Sequence, residues 1–145
     1  MNDLFVMLVD DEVAFLETMT KRLDKRDIRV ITATSGKEAL ETLSGNRNLD
    51  VVILDVKMPG LDGIETLKEM KKDYPLTEVI MLTGHGTIES AVEGMKLGAF
   101  DYLMKPCGIE DLLEKVTLAA KKRRDHLEKI KEAKVKEALS SYGVA

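Results

Sequence analysis

The chain has 145 residues, 44% hydrophobic and 33% charged, with a net charge of −4. That suits one domain with a real core and excludes both a disordered acidic tail and a globally basic nucleic-acid binder. The single cysteine, Cys107, makes no internal disulfide, no set of thiols resembles a zinc site, and a reducing cytoplasm is the expected setting.

The opening "MNDLFVMLVDDE" has no basic leader, and no later apolar run approaches the roughly 20 residues of a membrane span, so secretion and membrane insertion are both disfavoured. Its "LFVMLV" reads as a first strand ending in Asp10 and Asp11, and Phe15/Leu16, Met19 and Leu23 then recur at helical spacing. "IRVITA" is a second strand, and Ser35 before "GKEALETL" has the look of a helix cap. "VVILD" is a third strand that runs into Asp55 and a Pro/Gly-rich turn. Asp62 reads as a turn residue before a helix with Ile64, Leu67 and Met70 on one face. "EVIMLT" ends at Thr83, His85 between two glycines is a loop residue, and Thr87 caps a helix striped by Ile88, Ala91/Val92 and Met95. "DYLMK" closes the series at Lys105, before a last helix carrying Leu112, Leu113 and Val116. Every stripe is expected in the core. The alternation predicts an α/β fold: a five-stranded parallel sheet covered by helices on both faces.

Asp10, Asp11, Asp55, Thr83 and Lys105 all fall at carboxyl ends of predicted strands, the edge at which open parallel sheets bind ligands. Each residue alone has an ordinary reading. Acids after strands cap helices, Asp starts turns, and a threonine or lysine at a strand end can merely be solvated. Together they make a pocket. Three carboxylates brought close need a cation, and hard oxygen donors favour Mg2+ over zinc. Asp55 can then act as a carboxylate nucleophile towards phosphorus, with Lys105 and Thr83 binding the phosphoryl oxygens.

The stretches "VDDE" (9–12), "LDVKMPGLDG" (54–63), "LTGHG" (82–86) and "DYLMKP" (101–106) resemble, in order and spacing, the receiver domain of bacterial two-component response regulators. The wording "TGHGTIESAVEGMKLGAFDYLMKP" is most similar to receivers of nitrogen-regulatory, sigma-54-activator proteins, whose ATPase and helix-turn-helix domains have no counterpart before Ala145. The resemblance covers roughly residues 4 to 120. It implies a doubly wound sheet in the order 2-1-3-4-5, for which a chemotaxis regulator of this family is a well-known example, with five helices, the last one extended. It implies that Asp55 is phosphorylated by a sensor histidine kinase, and that Asp10, Asp11, Asp55 and the backbone carbonyl of Lys57 serve Mg2+, Asp10 largely through water. It implies that Lys105 contacts the phosphoryl group, that Thr83 and Tyr102 rearrange as switch residues, and that Lys105-Pro106 is cis. Asp55 is then expected to meet Asp11 through the metal and Lys105 directly. Such a domain catalyses only its own phosphorylation and dephosphorylation. Its readout is partner or dimer affinity at the face of the fourth helix, fifth strand and fifth helix. Cys107 stands where many receivers have Phe, which implies different packing beside Lys105.

A division into a receiver domain, 1–120, and a C-terminal helical extension, 121–145, is expected, with "SSYGVA" reading as a natural end. Leu113, Ala120 and Leu127 lie seven apart, but Lys134 and Glu137 then interrupt the seam, which makes a weak coiled coil. A solvated helix, a homodimer and docking of a downstream protein all stay open. "KKRR" at 121–124 could touch phosphates, although without a recognition-helix pair direct DNA binding is disfavoured. Two rivals complete the reading. A phosphatase of the haloacid-dehalogenase kind wants an acid two residues after the nucleophile, where Lys57 stands; an interaction module would make the tail the function.

Overall fold

The computed structural model describes residues 3–57, 62–84 and 86–143, so the Pro/Gly turn after Lys57 and His85 lie outside the described residues. The elements are β1 (Phe5–Val9), α1 (Val13–Asp24), β2 (Arg29–Ala33), α2 (Gly36–Gly45), β3 (Val51–Leu54), α3 (Gly63–Asp73), β4 (Glu78–Thr83), α4 (Ile88–Lys96), β5 (Asp101–Met104) and α5 (Ile109–Ser141). The five strands are all parallel in the order β2-β1-β3-β4-β5. This is the doubly wound sheet that the sequence predicts, with the last helix extended.

Side chains alternate across the sheet, so each strand serves two cores. Val6, Leu8, Ile53, Ile80 and Leu82 meet Leu16, Met19 and Leu23 of α1 and Leu112 and Val116 of α5. Met7, Val9, Val52, Leu54 and Met81 meet Ala39 and Leu43 of α2 and Leu67 and Met70 of α3. Covered on both faces, β1, β3 and β4 are buried throughout, which explains their unbroken apolar runs. On the edge strand β2, the Arg29 guanidinium lies 3.8 Å from the centroid of the Phe5 ring.

Local signals place the helix starts. Ser35 accepts from the Glu38 N–H at 3.1 Å, Asp62 accepts from Glu65 at 2.9 Å, and Thr87 and Ser90 form a reciprocal capping box. The stripe of α4 departs from expectation. Ile88 is 85% exposed and Val92 48%, Met95 also faces solvent, and Gly94 is the residue buried. Gly94 faces Met81, Ile64 and Leu67, which stand where a Cβ would make ordinary van der Waals contact. Contact is therefore made beside the apolar stripe, which leaves the stripe itself uncovered.

The basic run of α5 also differs from a phosphate-binding patch, because three of its cations are used internally. Asp50, just before β3, is buried and accepts from Phe5 N–H (3.1 Å), Arg123 Nη1 (3.2 Å), and Arg124 Nε (3.1 Å) and Nη2 (3.0 Å). Lys122 lies 3.6 Å from the carboxylate of buried Glu78, the first residue of β4. These contacts fasten α5 across the amino-terminal edge of the sheet, and the helix continues unbroken to Ser141.

Candidate functional site

The strand order reverses between β1 and β3: from β1 the sheet extends one way to β2 and the other way to β3. Val9 and Leu54 are register partners at that point, and the Asp55 N–H bonds the Val9 carbonyl at 2.9 Å. The residues after them, Asp10 and Asp55, are thereby brought side by side in the crevice. Asp10, Asp11 and Asp55 each offer a carboxylate oxygen within 4.8 Å of the other two. Asp10 is 1% exposed and Asp55 2%, whereas Asp11 is open to solvent.

The capping alternative for the paired acids fails. Glu12 holds the N-cap position of α1 without a side-chain capping bond. Asp10 Oδ1 instead accepts from the Glu12 N–H at 2.9 Å, a local turn that keeps its other oxygen turned to the crevice. That oxygen, Oδ2, binds Lys105 Nζ at 2.5 Å.

The expected direct pair of Lys105 with Asp55 is not what forms; the ammonium bonds Asp10 and acts on Asp55 through its field. The Lys105 backbone is fixed by its N–H to the Thr83 carbonyl at 2.9 Å, and the Lys105-Pro106 peptide is cis. Its tip rests 3.9 Å from the centroid of Phe15 and 3.9 Å from Glu12 Oε1.

Burial pushes the Asp55 carboxyl above the ordinary aspartate range. A hydrogen bond from the Thr83 hydroxyl draws it back, neighbouring Asp10 raises it again, and Lys105 and the Lys57 N–H lower it. The Lys57 N–H lies 3.5 Å from Asp55 Oδ1. An oxygen-only donor set this close, with a carboxylate whose burial opposes its ionisation, fits a hard divalent cation.

Tyr102 has its Oη 3.0 Å from Ser90 Oγ and its ring packed against the core cluster that contains Met81. Gly86 makes that placement available, since a Cβ there would overlap Tyr102 Oη and come within 2.8 Å of Met104 Sδ. Gly63 does the same for β3, because a Cβ would collide with the backbone of Asp55 and Val56, whose carbonyl accepts from the Gly63 N–H at 2.8 Å. Sequence reasoning missed Phe15, Ser90, Gly63 and Gly86 as neighbours of the site. Phe15 is absorbed into the core stripe, and the glycines give a signal only by falling beside the motifs.

Cys107 is half-buried, with Sγ 3.6 Å from the Gly108 carbonyl, and burial pushes its thiol above the usual cysteine value. It is therefore less easily ionised than an exposed thiol.

The family model of the response regulator receiver domain matches residues 6–117. Transcriptional regulatory protein ZraR of Escherichia coli O157:H7 is 37% identical over 111 residues, which are 77% of this chain and 25% of that protein. DNA-binding transcriptional regulator NtrC of Escherichia coli K12 is 35% identical over 114 residues, 79% of this chain and 24% of its own. The chain spans about a quarter of the length of these curated relatives. Among solved structures, a response regulator receiver domain protein from Clostridium thermocellum superposes with a TM-score of 0.80 at 39% identity, covering 83% of this chain and 97% of that one. With the switch-point crevice, the ordered motifs and this match over most of its length, the chain belongs to the response regulator receiver domain family, the phosphorylation-dependent switches of two-component systems.

Proposed function

We propose that Asp55 is the phosphoacceptor and that a sensor histidine kinase is the donor. The single observation that carries the reading is a buried carboxylate at the sheet's switch point, with two further carboxylates, a hydroxyl and an ammonium around it. In the transfer, an Asp55 oxygen attacks phosphorus, the phosphorus–nitrogen bond of the donor's phosphohistidine breaks, and its electron pair leaves with the imidazole. Lys105 supplies positive charge to the phosphoryl oxygens, and the Thr83 hydroxyl, now bonded to Asp55, is the side-chain donor that joins it. Asp10, Asp11, Asp55 and the Lys57 backbone carbonyl would hold Mg2+, which screens the clustered charge and lets phosphoryl oxygens approach.

Thr83 and Tyr102 are proposed as the switch residues. The hydroxyl of Tyr102 meets Ser90 inside the α4 capping box, so movement of the ring bears on the start of that helix. The readout surface is the face of α4, β5 and α5, where Ile88, Val92, Met95 and Met104 are exposed. A homodimer through that face or through the C-terminal helix, or an unidentified downstream protein, is its proposed partner. Residues 1–120 are proposed as the switch and 121–145 as an extension whose first turn is fastened to it. Direct DNA binding through 121–124 has little support, with Arg123 and Arg124 held by Asp50. Among the described residues no helix is long and apolar enough to cross a membrane, and a cytoplasmic site of action is proposed.

The test is incubation with acetyl phosphate and Mg2+ followed by intact-mass measurement. The expected product is one phosphoryl adduct, labile to alkali and to hydroxylamine as an acyl phosphate is, absent from Asp55→Asn. An undiminished adduct in that variant would remove the assignment.

A further inference from the structure

We propose that Phe15 is a positioning residue for phosphoryl acceptance: the face of its ring seats the Lys105 ammonium at the rim of the Asp10–Asp55 crevice. The inference rests on the role proposed above for Lys105. A lysine tip is a compact cation on a flexible four-carbon stem, and a peptide bond alone does not fix it. Here the backbone is pinned to Thr83, and the ammonium has Asp10 Oδ2 in hydrogen-bond contact, with Glu12 Oε1 and the centroid of the Phe15 ring each at 3.9 Å. The Lys105 side chain is only 17% exposed. Attraction between a cation and a ring face is strongest where water is largely displaced.

The ring is itself fixed. Phe15 is the third residue of α1 and packs against the core cluster that contains Leu16 and Leu82. Asp10, Glu12 and Phe15 therefore approach Lys105 from one continuous segment, and the passage from β1 into α1 sets all three positions. The carboxylate and the ring do different work. Phosphoryl oxygens arriving at Asp55 compete with Asp10 for the ammonium, since both offer anionic oxygen. The ring does not compete, and its contact with the Lys105 tip is the one that need not be surrendered as the cation turns to its new partner. A leucine at 15 fills most of the volume but presents no negative face.

The test compares Phe15→Leu and Phe15→Tyr with the wild type. In the metal-free protein, nuclear magnetic resonance of the Lys105 ε-methylene protons reads the seat directly: they are expected upfield in the wild type and Phe15→Tyr, and at ordinary lysine positions in Phe15→Leu. With acetyl phosphate, Phe15→Leu is expected to lower kcat of Asp55 phosphorylation about three- to tenfold with KM unchanged, because the ring never touches the donor. Phe15→Tyr restores it. Unshifted lysine signals in the wild type, or equal kcat in Phe15→Leu and wild type, would overturn the proposal. If wild-type Asp55 took no phosphate at all, the functional reading would fall, and the lysine signals would still judge the seat.

Discussion

The two edges of the sheet carry the same kinds of residue in opposite balance. At the carboxyl-terminal edge Asp10, Asp11 and Asp55 converge, and Lys105 is the ammonium among the described residues that meets them. At the amino-terminal edge Asp50 and Glu78 are as deeply buried, yet Arg123 and Arg124 hydrogen-bond Asp50 and the ammoniums of Lys122 and Lys71 stand 3.6 and 3.9 Å from Glu78. One edge is short of positive charge and the other is supplied from a distant helix. A buried carboxylate with its partners in place is structural, whereas one left short of them is held ready for something that arrives.

The largest expected effect breaks the well-supplied edge. Asp50→Ala removes the acceptor for Phe5, Arg123 and Arg124 together and leaves buried donors unsatisfied. A loss of about 3 kcal/mol is expected, read as a lower urea midpoint with an unchanged slope.

At the other edge the same class of change acts with opposite sign. The folded-state pKa of Asp55 lies above its unfolded value, so ionised Asp55 destabilises the fold at neutral pH. Asp55→Asn is expected to gain about 0.5–2 kcal/mol at pH 7 in chelator. The gain should shrink as pH falls through the folded pKa and vanish below the ordinary aspartate value of 3.8. A pH series of thermal melts checks the sign. Adding Mg2+ should raise the melting temperature of the wild type alone and close the gap, by the ordinary linkage of a ligand that binds only the folded state. A gap indifferent to Mg2+ would count against a cation site.

Smaller effects sharpen the contrast. Lys122→Ala removes a half-exposed partner of Glu78 while Lys71 stays within 3.9 Å, and a loss of about 0.5 kcal/mol is expected in the same urea assay. Lys121→Ala breaks the solvent-exposed pair with Asp125 and should leave the midpoint unchanged.

The carboxyl-terminal edge is legible in the sequence because each residue there ends its own strand: Asp10 after β1, Asp55 after β3, Thr83 closing β4 and Lys105 after β5. Parallel strands collect such ends by topology alone. The amino-terminal edge is not legible, since Asp50 and Arg123 are 73 residues apart and nothing local to either names the other. A basic run therefore reads as a surface patch. The partner of Lys105 escapes the sequence for a related reason: motif order places the ammonium in the crevice without choosing between two carboxylates there. For α4, helical periodicity shows that one face is apolar. It does not show whether that face meets the chain's own sheet, and α4 packs through Gly94 with the stripe turned outwards.

The unbroken α5 has a consequence in leverage. Beyond the residues fastened at Asp50, the helix runs on from Asp125 to Ser141 without interruption. At 1.5 Å per residue that is an arm of about 25 Å, so a tilt of a few degrees at its anchorage carries the far end through about 2 Å. The contacts that seat α5 at Asp50, at Glu78 and in the core thus bear on where Leu139 and Tyr142 lie in space, and small adjustments beneath the sheet are magnified at the far end.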